Sequence, residues 1–249
     1  MMIKKITAIL ISFLALNISL RAQESSSPSK KHAMPNIPGA FILELGLNRT
    51  LNTADKFDLG LWGSRTLNVY YQYDMRILKS KFSFHPGIGL GLDRYKFRNN
   101  YVVEYDNNNT LLIEPFSHSI SSIASVQKSQ LITNYLDVPL ELRFSTNPDD
   151  PSRSFKVSVG ARVGYLFESF AKIKFDDNGN KVKRKEKESY NLNPFRYGVY
   201  LKIGGGNFSL FGYYNLSTLF KSGLGPVSSP AVAVKDMNNF TVGISLSSF

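Results

Sequence analysis

Two places in the sequence set a serine beside a histidine, the pairing that could carry covalent chemistry here: Ser83 with His85, and Ser117-His118-Ser119. A hydroxyl whose proton is taken by a neighbouring imidazole can attack an ester, provided a third group orients the ring. No third group is spaced for that role. The reading is therefore a packed interior histidine, a loop histidine and no catalytic residue. The chain has three histidines and no cysteine, and no histidine pair has zinc-ligand spacing, so neither a metal nor a cofactor is expected.

The glycine-rich runs read as backbone features. Gly87-Ile88-Gly89-Leu90-Gly91-Leu92 sits in a strand pattern with no helix after it, unlike a dinucleotide loop. Gly204-Gly205-Gly206 reads as a hairpin turn by the same test. Asp176-Asp177-Asn178-Gly179-Asn180 lacks calcium-loop spacing and reads as a turn.

What would position these residues is a set of strands. In residues 66–77, Leu67, Val69, Tyr71, Tyr73, Met75 and Ile77 share one parity and Thr66, Asn68, Tyr70, Gln72, Asp74 and Arg76 the other. A period of two is the strand period, with one apolar and one polar face. Eight such segments are predicted near 39–48, 64–78, 82–97, 131–145, 153–174, 192–204, 207–219 and 238–249. The connections alternate strictly: long at 49–63, 98–130, 175–191 and 220–237, short at 78–81, 147–152 and 204–207. In an up-and-down barrel this places all long connections on one rim, opposite both termini. Two long connections, around Asp106-Asn107-Asn108-Asn109-Thr110 and around 176–180, look like hairpins that continue beyond the barrel and project into water.

Lipid is the better solvent for the apolar face. The polar face is crowded with glycine, which suits the cramped interior of a small barrel. Aromatic residues gather at the ends of the apolar faces as interfacial girdles do, and strands of 12 or more residues exceed the ~5–6 of globular sheets. Lys4 and Lys5, an apolar stretch from Ile6 to Leu20 and then Ala22 have the layout of a signal peptide, too short to span a bilayer as a helix. The expected organisation is a signal peptide at 1–22, a Ser/Pro/Lys-rich lead-in at 23–38 and a barrel at 39–249. Cleavage after Ala22 removes three cations from a chain of formal charge +11, and the remainder stays basic. Without cysteine there is neither a disulfide nor a lipidated anchor.

The expected fold is thus all-β, an eight-stranded antiparallel up-and-down transmembrane β-barrel with long extracellular loops, in the outer membrane of a Gram-negative bacterium. Its interior would be filled by side chains, with Glu44, Asp74, Arg76, Asp93, Glu141, Arg143, Lys156, Arg162, Glu168, Arg196 and Lys202 pairing at low dielectric. The basic run of Lys181, Lys183, Arg184, Lys185 and Lys187 has no interleaved aromatic residue, which argues against nucleic acid. It reads as a solvated loop facing lipopolysaccharide phosphates.

The stretch 133–144 (TNYLDVPLELRF), after Gly87–Leu92 and before 155–167 (FKVSVGARVGYLF), resembles the PorT-type family of small outer-membrane β-barrels. So does the early Gly46-Leu47-Asn48. The resemblance covers roughly residues 39–249 and implies an eight-stranded barrel inserted by the outer-membrane assembly machinery. The expected function is non-enzymatic, a structural or interaction role through surface loops. Outer-membrane lipid, lipopolysaccharide and an envelope protein would be its partners. The alternatives are a secreted or periplasmic barrel that binds a small apolar ligand and, as a minor one, a lipid-modifying esterase. One departure concerns the end of the chain: Phe249 lies on the parity opposite Phe240, Val242, Ile244 and Leu246, which implies either a bulge near Ser247-Ser248 or an imperfect terminal signal.

Overall fold

The computed structural model describes residues 39–54, 56–98, 101–115, 125–177, 179–228 and 236–248. The expected signal peptide and lead-in, Ser117-His118-Ser119 and Phe249 lie outside the described residues.

Alternating sequence becomes alternating burial, with its sense inverted relative to a protein in water. In Phe195–Gly205, Phe195, Tyr197, Val199, Leu201 and Ile203 face outward, while Arg196, Tyr200 and Lys202 are buried. Leu201 is 46% exposed and its neighbour Lys202 only 5%. A soluble barrel buries its apolar parity; here that parity is the outer surface.

The strands are β1 (Ala40–Leu51), β2 (Arg65–Gln72), β3 (Met75–Arg76), β4 (Phe82–Lys96), β5 (Tyr101–Tyr105), β6 (Leu111–Pro115), β7 (Ser125–Ser145), β8 (Phe155–Asp177), β9 (Asn180–Glu186), β10 (Phe195–Gly205), β11 (Phe208–Thr218) and β12 (Asn238–Ser247). Eight of them, β1, β2, β4, β7, β8, β10, β11 and β12, pair antiparallel in chain order, and β12 returns to β1 to close the barrel. β3 continues β2 against β4 at one rim. β5 and β6 form a hairpin within the second long connection, and β9 folds back on the far half of β8.

The rim of short turns carries both ends of the barrel sequence, where the Ser248 amide donates to the Phe41 carbonyl. Gly206 closes the β10–β11 turn with φ +56, a backbone region that glycine enters without Cβ strain. The terminal strand pairs with β1 in one continuous register from Leu51↔Asn238 to Ile42↔Ser247, so no bulge interrupts it up to Ser247.

β7 begins at Ser125 rather than near 131. Along its first residues polar side chains occupy both faces, Ser129 and Thr133 inward with Lys128 and Gln130 outward, so the period of two loses its contrast. With β8, 23 residues long, it forms a wall that rises beyond the rest of the barrel.

The long connections do not simply project into water. They enclose an apolar core over the far end of the barrel, built from Phe57, Tyr95, Phe97, Leu111, Tyr190 and Phe220 among others. Phe57 meets Phe97 and Phe220 edge to face at 5.2 and 5.9 Å between ring centroids. The β5–β6 hairpin contributes Val103, Leu111 and Ile113 to this core. It is tied to the fourth connection by the Ile113 amide donating to the Val227 carbonyl (2.9 Å) and the Val227 amide to the Leu111 carbonyl (3.0 Å). Tyr190, in the third connection, donates to the Glu186 carbonyl and accepts from the Ala171 amide; burial pushes its phenol well above the usual tyrosine range.

Candidate functional site

Two parts of the molecule stand out: the lumen and the rim of long connections. In the lumen, β1, β4, β7, β8 and β10 bring together four carboxylates, Glu44, Asp93, Asp137 and Glu141, and four cations, Arg143, Arg162, Arg196 and Lys202. Lys202 Nζ lies between Glu44 (2.9 Å) and Glu141 (3.0 Å). Arg162 reaches Glu44 at 2.9 Å, and Arg143 reaches Glu141 at 2.6 Å. Further along the axis, Arg196 bridges Asp93 (2.6 Å) and Asp137 (2.5 Å), and the Tyr70 hydroxyl donates to Asp137 at 2.8 Å.

Aromatic rings fill the space between these ions. Arg162 lies over Tyr70, Tyr200 and Tyr213, with centroid distances of 4.9, 5.5 and 4.4 Å, and Arg196 lies over Tyr135 at 4.0 Å. The packing explains two glycines on the polar face. A Cβ at Gly91 would collide with Arg196 and Asp137, and one at Gly164 with Asp137. Equal numbers of opposite charges at hydrogen-bond distance are how a low-dielectric interior holds ions, and together with the tyrosines they fill this level of the lumen.

Not every residue expected in the filling lies there. Glu44, Asp93, Glu141, Arg143, Lys156, Arg162, Arg196 and Lys202 point inward. Asp74 and Arg76 have the inward parity but lie past the packed level, at the open mouth beside the short turns; Asp74 is 57% exposed and Arg76 pairs with Asp149 at 2.6 Å. Glu168 faces outward. Asn134 and Tyr135 pair with Glu168 and Leu166, so Phe167 is an extra residue in β8, and this bulge reverses the parity of everything after it. Glu168 there pairs with Lys187 (2.5 Å), whose hydrogen bond holds its carboxyl below the usual range. Asp137 was missing from the expected filling, although its parity on β7 was that of Glu141.

The mouth holds the only serine–histidine pair among the described residues. Ser83 Oγ is 2.7 Å from His85 Nε2, and Asp74 Oδ1 is 3.6 Å from the same nitrogen, at the edge of an open cavity of about 400 Å³. In a hydrolytic arrangement one ring nitrogen serves the serine and the other is held by the carboxylate. Both partners meet Nε2 here, so Asp74 competes with Ser83 instead of orienting the ring for it.

At the opposite rim the basic run lies on β9 and on Lys187 just after it. Lys181, Lys183, Lys185 and Lys187 are exposed on one parity, while Arg184 turns to the other and pairs with Glu186. Between β8 and β9 the Gly179 amide donates to Asp176 Oδ1 at 2.8 Å, as in a turn.

The inverted alternation, the closed eight-stranded topology and the ion-filled lumen describe a barrel built for a bilayer. A family defined as the outer membrane protein beta-barrel domain matches residues 22–221. The chain belongs to that family. It is an outer-membrane β-barrel, and its outward Leu, Val, Phe and Tyr side chains are its lipid-facing surface. No curated protein matches it. Solved structures that are similar at low level include two outer-membrane or surface proteins. One is Ail, the attachment invasion locus protein of Yersinia pestis, in complex with the heparin analogue sucrose octasulfate, at 16% identity and TM-score 0.35 over 85% of this chain and 99% of that one. The other is Neisserial surface protein A, at 13% identity and TM-score 0.31 over 84% of this chain and 96% of that one. Likeness at these scores carries no argument.

Proposed function

We propose that this outer-membrane barrel is a non-enzymatic anchor, exported by a signal peptide cleaved after Ala22, that holds a structured rim at the cell surface for contact with lipopolysaccharide and an envelope protein partner. The observation that carries the reading is the division of the lumen. Neutralised ion pairs and tyrosines fill its membrane level, and the apolar core of the long connections covers the end beyond. A lumen of that kind has neither a wide aqueous path nor an apolar chamber for a small ligand, so the outer surfaces of the rim are left to do the work. Insertion by the outer-membrane assembly machinery is what the resemblance to PorT-type barrels implies. The resemblance to PorT-type barrels suggests the finer role of an accessory to a surface or secretion assembly.

Mild trypsin treatment of intact cells tests the orientation. Lys181 adjoins the β8–β9 turn, and Lys187 follows the last paired residue of β9, so cleavage is expected at these two ends while the barrel strands stay protected. Cleavage that appears only after the outer membrane is permeabilised would place this rim in the periplasm and overturn the reading. A second measurement concerns transport. Reconstituted into planar bilayers, the protein is expected to give no steady porin-sized conductance, because side chains occupy the lumen of an eight-stranded barrel. A sustained open level would show that the ion network moves aside as a unit.

A further inference from the structure

The outward face just beyond the lipid-facing band changes from apolar to cationic across five adjacent strands. Arg65 on β2 and Arg94 on β4 stand opposite each other, one step past Leu67 and Leu92 on the same parity. The next cross-strand row sets Lys96 on β4 beside Gln130, Gln130 beside Lys172 on β8, and Lys172 beside Lys185 on β9. The row beyond sets Lys128 on β7 beside Lys174 on β8, and Lys174 beside Lys183 on β9. Strands ~4.8 Å apart make this a cationic face roughly 20 Å wide.

Among the described residues, none of Arg65, Arg94, Lys96, Lys128, Lys172, Lys174 and Lys183 has a carboxylate within 4.0 Å; Glu168 is shared by Lys187 at 2.5 Å and Lys185 at 3.9 Å. Like charges directly opposite each other destabilise a sheet. Burial and the charges of Lys174, Lys96, Arg94 and Arg65 push the Lys128 ammonium below the usual lysine range. Lysine on an exposed edge strand guards against aggregation, which accounts for the residues of β9 and for Lys128 on β7 past the end of β4, but not for those of β2, β4 and β8.

The geometry points to a docking site for lipopolysaccharide, with the phosphates of its glycolipid anchor on the rows from Arg65 to Lys183 and its acyl chains against Leu67, Leu90, Leu92 and Leu136. This rests on the surface orientation proposed above. The occupant is a lipid rather than a soluble polyanion because the cationic rows continue the lipid-facing strip without a break, and because the apolar pair Leu61-Trp62 flanks them. Trp62 is 74% exposed, and its carbonyl accepts from Arg65 Nε at 2.9 Å. An exposed tryptophan at the edge of an apolar band, its backbone carbonyl held by an arginine, suits a bilayer interface, where tryptophan is enriched.

Trp62 is the only tryptophan in the sequence and reports on the site directly. The full-length protein, inserted in phosphatidylcholine vesicles, would be titrated with purified bis-phosphorylated lipid A, with the same lipid after dephosphorylation, and with heparin. Three proteins would be compared: the parent, a ladder variant (Lys96→Gln, Lys128→Gln, Lys172→Gln, Lys174→Gln), and a control that loses four exposed cations elsewhere (Lys79→Gln, Lys81→Gln, Arg153→Gln, Lys221→Gln). The expected result is a saturable Trp62 response to the phosphorylated lipid, weakened more than about tenfold in the ladder variant and unchanged in the control, since each basic residue beside an anionic surface contributes a severalfold factor. Equal responses to phosphorylated and dephosphorylated lipid, equal loss in both variants, or tighter binding of heparin than of lipid A would each overturn the assignment. A parent protein that stays soluble without detergent and does not enter the vesicles would overturn the membrane reading as well, whereas insertion without phosphate preference would overturn the docking site alone.

Discussion

Arg196→Met is expected to destabilise the folded barrel by about 3–5 kcal/mol, the range for removing one side of a buried ion pair. The guanidinium is enclosed by Asp93 at 2.6 Å, Asp137 at 2.5 Å and the ring of Tyr135 at 4.0 Å. Methionine fills much of the volume but leaves two buried carboxylates facing each other without a counter-charge. Gly91 and Gly164 lie so close to this cluster that the strands have little room to admit compensating water. Urea titration of the protein refolded into vesicles, compared with the parent, measures the loss. The triple variant with Asp93→Asn and Asp137→Asn is expected to recover most of it, because it removes the whole charged set and keeps its shape. A single variant within about 1 kcal/mol of the parent would mean that the network is not desolvated, since isolated exposed pairs contribute that little.

The same cluster shows how far the sequence can be read. Parity alone placed Glu44, Asp93, Glu141, Arg143, Arg162, Arg196 and Lys202 on the inner face, because the strand period holds wherever one face is strongly apolar. It failed at Glu168, where the extra residue Phe167 carries no glycine or proline to mark a bulge and shifts the phase of all that follows. That shift matters, since it is what turns Lys172 and Lys174 outward to join Lys96 and Lys128. Asp74 and Arg76 were placed inside because parity says which face a residue takes but not how deep it sits. The apolar core under the long connections was missed for a different reason. Phe57, Val103, Leu111, Tyr190 and Phe220 come from four separate connections with no shared period, and only tertiary structure brings them into contact. The cationic rows were half visible as the run from Lys181 to Lys187; their other half lies on strands more than 100 residues away in the case of Arg65, joined only through register.

Leu201 and Lys202 are adjacent in sequence and opposite in environment, and they separate a membrane barrel from a soluble one. Leu201 sits midway along β10, opposite Val159 on β8 and Gly212 on β11, and faces outward. Leu201→Arg is expected to cost about 2–4 kcal/mol, the penalty for a cation near the bilayer midplane on the lipid face of a barrel, and Val138→Asp on β7 is expected to impair assembly for the same reason. In water the sign would reverse: a charge at either exposed position would be neutral or favourable, while the apolar parent surface would drive aggregation. The comparison that decides is therefore made in two solvents. In vesicles, the urea midpoint of Leu201→Arg should fall well below that of the parent, whereas Leu201→Ala, which adds no charge, should lie close to it. In detergent micelles, whose thin apolar layer lets an arginine reach water, the gap between arginine and alanine should narrow. If Leu201→Arg and Val138→Asp fold and insert as well as the parent in vesicles, the outward parity does not face lipid, and both the anchoring role and the lipid docking face fall with it.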